Sequence, residues 1–528
     1  MAALITELHP SPTPSRLKGE LADLIAERAS SRGGHPYLEY ARSDSMLSFR
    51  DLLHAVEGWA GMLDSAAVRP GSTVGLVIAD PIAFSIGFLG TVASGHWAAP
   101  LDPYTPAAGM DASIVRVGAD IVFSDQPMPT GLSVKWVDLE DAPAPARGAV
   151  VRPADETPSD LPSGGAVLAS SGTTGAPKVV PLHQSRLLHT ARSVRDHHRI
   201  TSSDRGFNSL PLFHINAEVV GLMATLVAGS SLVLDDRFHR TRFWSVMAER
   251  RITWINAVPA IISRLADPGD DEVIPSEIRF IRSASAPLPV ATSTRFEANT
   301  GIPVVETYGM TEAASQITAN PVDGPRKPGS VGLPVGVEVR VLVGDAATDE
   351  ALPQQVPGGN VGHVEIRGPS VITAYAGRHH ADRIDGDGWL RTGDLGHFDE
   401  DGYLYLDSRT DDVINRGGEK VFPREIEEMI LVDADVTGVA VVGASDPELG
   451  QVPVAYLVLQ GVHDSDDCAR AAEVAARVRD HLSAALVRSK RPVWMCVLSA
   501  LPAGATGKVQ RRALRDDDLP VIYRLDCR

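Results

Sequence analysis

A chain of 528 residues, 44% of them apolar and 22% charged, is long enough for more than one folded unit and too apolar for a disordered one. Its formal net charge of −18 works against a general nucleic-acid or anionic-membrane surface, because attraction to phosphates needs clustered Lys and Arg. Three widely spaced cysteines, Cys468, Cys496 and Cys527, suit neither a disulfide framework nor a zinc site and point to a reducing, cytoplasmic setting.

The opening "MAALITELHPSPTPSRLKGE" has no long apolar core behind basic residues, and the longest apolar run, Phe84 to Val92, is too short to span a bilayer. The β-branched run "TVGLVIA" from Thr73 precedes a helical stretch, and "ADIVFS" ends near Ser124. From Asp141 to Gly165 the text turns to Pro, Ala, Ser and acid, a surface excursion. Then "GAVLASS" reads as a buried strand and leads into "SGTTGAPK". Further strands follow at Ser231, Ile252, Ile278 and Ile302, most of them separated by helix-length pieces, which predicts mainly parallel α/β sheets. From Gly336 short strands and tight turns, including Asp401-Gly402, form a small β unit. Beyond Arg409 the pattern is α+β, with one helix opening near Pro423 and another running from Cys468 to about Val487. The expected fold is α/β. A large N-terminal unit (1–409) carries mainly parallel sheets flanked by helices plus the small β unit, and a hinge (410–412) joins it to a small mobile α+β unit (413–528).

A glycine- and hydroxyl-rich turn after a strand offers backbone N–H groups to phosphate. A Walker A loop does not fit: Gly172 and Gly175 stand three apart, Pro177 separates the second glycine from Lys178, and Val179 sits where a magnesium-binding hydroxyl is required. Taken alone, such a loop is as readily a plain linker; its place after a buried strand and its closing lysine favour the phosphate reading.

Four further stretches follow in order: "TYGMTEAA" from Thr307, "GWLRTGDLG" from Gly388, "SRTDDVINRGGEKVFPREIEE" from Ser408 and "PAGATGKVQRRAL" from Pro502. With "SSGTTGAPK" they resemble the core motifs of the adenylate-forming superfamily of acyl-CoA synthetases, stand-alone adenylation domains and luciferases. "LPLFHINAEVVG", "FIRSASAPL" and "GPRKPGSVGLPVG" are most similar to the small acyl-CoA synthetase branch that includes oxalate–CoA ligases. The resemblance implies ATP, Mg2+ and coenzyme A as cofactors. It places Ser170, Thr173, Thr174 and Lys178 on the phosphates and Glu312 on the metal, with Thr311 at the α-phosphate. Thr307, Tyr308, Gly309 and Met310 would face the nucleotide, Tyr308 packing on adenine; Ser285, Ala286 and Pro287 would read the adenine edge, and Asp394 and Arg409 would hold the ribose. Lys508 matches the catalytic lysine, Asp411 the hinge, and Gly417, Gly418 and Glu419 the thiol tunnel. His214, Asn216, Ala284, Ala314 and Ser315 would wall the acyl pocket, His214 as a gate rather than an acid or base.

The chemistry is consistent with this. A carboxylate is already ionised at neutral pH, so attack on the α-phosphorus needs no general base, only cationic groups that offset the repulsion between anions. Val179 and Gly504 depart from the usual Gly and Thr, and leave those charges in place. Asn216 and Ser315 stand where oxalate-type relatives carry histidines, which argues against oxalate. The small Ala284, Ala286, Ala313 and Ala314 suggest a bulkier, mostly apolar acid. The expected reaction is ATP-dependent activation of a carboxylic acid to acyl-AMP, then transfer to coenzyme A. An enzyme that stops at the adenylate or loads a carrier-protein phosphopantetheine is the alternative, a catalytically silent adenylate-binding protein is a third reading, and a homodimer is left open.

Overall fold

The computed structural model describes residues 17–129, 131–132, 134–139, 164–170, 178–343, 360–376, 383–502, 509–515 and 519–527. Among them lie four sheets. Strands joined by helical crossovers suit parallel pairing, since the crossover returns the chain to the end of the sheet at which the previous strand began. The largest sheet has nine strands, ordered Leu333–Pro334, Ser315–Ala319, Val304–Met310, Phe280–Ser283, Trp254–Ala257, Arg205–Asn208, Ser231–Leu234, Pro36–Tyr40 and Met46–Ser48. Its six central strands, from Val304–Met310 to Pro36–Tyr40, pair parallel, and the flanking strands pair antiparallel. A second sheet runs Lys135–Asp138, Ile121–Ser124, Thr73–Val77, Trp97–Pro100, Gly165–Ser170, Lys178–His183, and is parallel except for its last pair.

Helices fill the layers between these sheets. Phe49–Ser65 starts at a capping box, Ser48 accepting from the Asp51 N–H while Asp51 accepts from the Ser48 N–H. Pro81–Ala93 starts on the Asp80 cap with proline in its first turn, and all thirteen of its residues are buried, so the apolar run noted in the sequence is a core helix. The two helices pack through Trp59, whose Nε1 donates to Thr91 Oγ1 at 2.9 Å. A Cβ at Gly90 would stand 2.8 Å from that indole, so only glycine lets the helices approach so closely.

The small β unit is a four-stranded antiparallel sheet, Glu338–Leu342, Gly362–Arg367, Leu390–Phe398 and Leu404–Arg409, with Gly402 at φ 81° in its last turn. A 3-10 turn, Thr410–Asp412, leads out of it. The fourth sheet follows the order Glu419–Val421, Ile414–Arg416, Gly450–Leu459, Trp494–Leu498 and Val521–Asp526, with Val436–Asp446 also paired to Gly450–Leu459. Helices Pro423–Ile430 and Cys468–Ala485 cover it through Ile426, Ile430, Val474, Val478 and Leu482. The C-terminal tail supplies the edge strand Val521–Asp526, antiparallel to Trp494–Leu498.

Helix Pro423–Ile430 also reaches back to the preceding units. Arg424 donates to Leu406 O at 2.7 Å, and Glu428 accepts from the Val290 N–H at 3.3 Å. Beneath this contact Glu306 is buried, and burial raises its pKa to about 7, against the opposing pull of Arg424. A folded-state value above the unfolded one means that the unfolded chain releases its proton first, so stability is fully present below about pH 4.5 and falls as pH rises through 7. The Glu306→Gln variant escapes this loss, which amounts to roughly 3 kcal/mol at most. In thermal denaturation the midpoint difference between variant and wild type is expected to widen from pH 5 to pH 8; a constant difference would refute the assignment.

Candidate active site

The carboxyl ends of the parallel strands are where an open α/β sheet leaves a crevice for ligands. Strand Phe280–Ser283 ends in Ala284, Ser285, Ala286 and Pro287; Ala284 is buried and Ser285 is exposed in the left-handed region at φ 72°. The neighbouring strand Val304–Met310 carries Thr307, whose Oγ1 donates to Ser283 O at 2.9 Å and ties the two strand ends together. Tyr308 is buried and its hydroxyl donates to Asp394 Oδ2 at 2.5 Å. Arg409 lies opposite Asp394 in the adjacent strand, its Nε 3.3 Å from Asp394 Oδ1. Burial, then the Asp394 charge, hold the Tyr308 phenol well above its usual pKa, so it stays a donor. Gly309 pairs with Gln316, and a Cβ there would stand 1.7 Å from Ser315 O, so the turn into Met310 requires glycine.

Thr311, Glu312 and Ala313 form a 3-10 turn, with Glu312 buried. Glu312 Oε1 accepts from the Tyr375 hydroxyl at 3.0 Å, and Lys178 Nζ lies 5.4 Å from the Tyr375 ring centroid. The sequence reading missed Tyr375; it lies in an irregular stretch with no motif to mark it. No ion pair to Glu312 occurs among the described residues, which leaves a buried hard oxygen donor of the type magnesium takes alongside phosphate oxygens. Lys178 begins the strand Lys178–His183, pairing with Ser170 at the end of Gly165–Ser170. Thr173 and Thr174 between them, and Lys508, lie outside the described residues.

The expected acyl wall mixes the polar His214, Asn216 and Ser315 with the small apolar Ala284 and Ala314. His214 is half-buried, and burial lowers its pKa to about 4 against the opposing effect of Asp102, so the imidazole is neutral at physiological pH. Asn216 opens a buried π-helix, Asn216–Met223, in which the Ala224 N–H bonds to Val219 O five residues back. Its Oδ1 accepts from Arg282 Nη1 at 2.8 Å. Ala314 and Ser315 hold φ of 52° and 98°; with Ser285 they are three of the seven non-glycine residues with positive φ among the described residues. Such backbone strain gathers where a site over-determines its geometry. Gln316, next to Ser315, accepts from Arg282 Nη2 at 3.3 Å. Arg282 was not among the residues singled out, although it is the one charge inside the buried strand that opens "FIRSASAPL".

Gly417 and Gly418, at φ 59° and 92°, make the two-residue turn between Ile414–Arg416 and Glu419–Val421, and with Glu419 they are exposed. Asp411 is exposed within the 3-10 turn that links the third and fourth sheets. The flanks of the Lys508 segment are firmly held: the Gln510 N–H bonds to Pro502 O at 2.8 Å, and Arg511 pairs bidentately with Glu427 at 2.6 and 3.0 Å.

Among the described residues no helix is long and apolar enough to cross a membrane. Residues 25–376 match the AMP-binding enzyme family, and residues 425–508 match the AMP-binding enzyme C-terminal domain. The chain is 36% identical to sulfoacetate–CoA ligase of Cupriavidus necator, covering 94% of this chain and 97% of that one. It is 33% identical to oxalate–CoA ligase of Arabidopsis thaliana, over 85% of this chain and 89% of that one. Among solved structures, o-succinylbenzoate CoA synthetase from Bacillus subtilis with its acyl-adenylate intermediate superposes with a TM-score of 0.80 at 26% identity, covering 94% of this chain and 98% of that one. With two thirds of its length matched by one family and its C-terminal part by that family's second domain, the chain belongs to the AMP-binding enzymes, the adenylate-forming superfamily that includes the oxalate–CoA ligases.

Proposed function

We propose that the chain is an AMP-forming acid–CoA ligase working in two steps. In the first, a substrate carboxylate oxygen attacks the α-phosphorus of ATP; a carboxyl–phosphorus bond forms and the bond to pyrophosphate breaks. In the second, the thiol sulfur of coenzyme A attacks the acyl carbon, AMP departs, and the thiol proton passes to solvent. What carries this reading is the meeting of Tyr308, Asp394 and Arg409, drawn from three separate strands, beside the Lys178–Tyr375–Glu312 cluster. In it, Asp394 and Arg409 bind the ribose, and Ser285, Ala286, Pro287 and Tyr308, with Thr307, Gly309 and Met310, frame the base. Lys178 holds phosphate, as do Ser170, Thr173 and Thr174, while Thr311 orients the α-phosphate. Glu312 would hold the magnesium ion, which neutralises charge on the phosphate oxygens when bound. Lys508 stabilises the charge that develops on the α-phosphate as the acyl-AMP forms. The unit beyond the 410–412 hinge turns about Asp411 between steps and brings Gly417, Gly418 and Glu419 to the pantetheine path.

Acid-dependent ATP–pyrophosphate exchange across a panel of aliphatic, aromatic and polycyclic acids, with acyl-AMP detected by mass and coenzyme A added afterwards, tests the reading. Exchange followed by acyl-CoA is expected. Exchange without acyl-CoA redirects the second step to a carrier-bound thiol, and no exchange with any acid refutes the proposal.

A further inference from the structure

Arg282 stands apart from the other cations of the chain. It lies in a central strand of the large sheet, between Trp254–Ala257 and Val304–Met310, and is 1% exposed. Burial lowers its pKa to about 9, so the guanidinium is still charged at neutral pH. Such a charge is costly unless a counter-anion and hydrogen bonds compensate it. All its hydrogen-bond acceptors among the described residues are neutral amides: Asn216 Oδ1 at 2.8 Å, Asn256 Oδ1 at 3.2 Å and Gln316 Oε1 at 3.3 Å. Its Nε is buried without an acceptor. Glu218, on the same π-helix as Asn216, is not paired with Arg282: both its oxygens are buried without a donor, and burial raises its pKa well above the usual carboxylate value.

The amides matter as much as the cation. Asn256 is used on both sides, since its Nδ2 donates to Asn208 Oδ1 at 3.0 Å. Asn216 and Gln316 are not. Because each turns its oxygen to the guanidinium, its NH2 group must face away from it. Both nitrogens, Asn216 Nδ2 and Gln316 Nε2, are buried without an acceptor. Three buried donors on three different elements, the guanidinium's own Nε and the amide nitrogens of its two partners Asn216 and Gln316, thus lack an acceptor where buried polar groups are ordinarily paired. Along the chain, Arg282 stands two residues before Ala284, and Gln316 directly after Ala314 and Ser315; those three, with Asn216, are residues expected to wall the acyl pocket.

We propose that Arg282, Asn216 and Gln316 form an anion subsite that takes a second negative group of the acid, a carboxylate or a sulfonate, while the first carboxylate is adenylated. This inference rests on the acid–CoA ligase reading and names its substrate class: a dianionic acid rather than the mostly apolar one that the small residues suggested. The incoming oxygens accept from Arg282 Nε and the two amide nitrogens, and their charge balances the guanidinium.

The test is acid-dependent ATP–pyrophosphate exchange by the full-length chain with malonate and succinate, with the sulfonates of the same lengths, and with propionate and butyrate. The wild type is expected to prefer dianions, and the carboxylate and sulfonate arms show which group the subsite takes. In Arg282→Met the ratio of kcat/KM for dianion over length-matched monoanion is expected to fall about 100-fold, the scale of removing one partner of a desolvated charged contact. Arg282→Lys restores part of it, which a purely structural role would not. Gln316→Glu, nearly equal in volume, gives the guanidinium an internal counter-ion and is expected to lower the same ratio while raising the thermal midpoint, so the test survives an Arg282 variant that fails to fold. Exchange with monoanions at equal efficiency, or an unchanged ratio in Gln316→Glu, overturns the subsite and leaves the ligase reading standing. Absence of exchange with every acid, here and in the broader panel, overturns both.

Discussion

Lys508→Ala lowers acid-dependent ATP–pyrophosphate exchange by about two to three orders of magnitude, the loss that follows removal of one preorganised electrostatic stabiliser. Thioester formation from supplied acyl-AMP and coenzyme A is expected to retain most of its rate, because the second step breaks the bond at the acyl carbon and the α-phosphorus is no longer the centre attacked. On the proposed reading, the split follows from which unit of the chain carries the lysine. Its segment springs from a base fixed by the Gln510–Pro502 bond and the Arg511–Glu427 pair, on a unit that joins the rest of the chain through the Thr410–Asp412 turn. On the proposed two-step reading, a lysine on that unit would serve the first step and leave with the unit before the second. Equal loss in both half-reactions would refute the division of labour.

Asp394→Ala raises the KM for ATP about 100-fold, from the loss of a charged acceptor worth roughly 3 kcal/mol over two ribose hydroxyls. The residue is pre-aimed: Tyr308 holds Oδ2, Arg409 stands beside Oδ1, and its own N–H bonds to Thr392 Oγ1 at 3.0 Å. Alanine also leaves the partly buried Arg409 without its carboxylate. A KM change below about threefold, measured by steady-state kinetics with acid at saturation, would remove Asp394 from the ribose contact, since even one charged hydrogen bond is worth more than that.

Much of the fold was legible because its signals are local. Alternating β-branched and amphipathic runs gave the parallel class, the Asp401-Gly402 pair gave a hairpin, and Pro423 marked a helix start that the structure places at the same residue. Strand order was not legible, since Pro36–Tyr40 lies beside Ser231–Leu234 across almost two hundred residues and no local pattern encodes that pairing. The tail strand Val521–Asp526 hid for a related reason: it is a half-exposed edge whose partner precedes it by more than twenty residues. In the site, Tyr375 lies outside every motif, whereas Arg282 stands inside "FIRSASAPL" and was still passed over. Arg282 carried a signal nonetheless, because a strand buried on both faces reads as continuous apolar text and a lone guanidinium within it demands a counterpart.

The π-helix at Asn216–Met223 carries a consequence for how such specificity could arise or be lost. A π-bulge is an α-helix holding one surplus residue, and each residue of helix turns the chain by about 100°. Deleting a single position between Val219 and Met223 would let the segment tighten and swing the amide of Asn216 off the guanidinium, with no change in the identity of either side chain. Discrimination between acids of different charge would then depend on the count of backbone units as much as on the alphabet of the pocket, and a one-codon deletion could switch it.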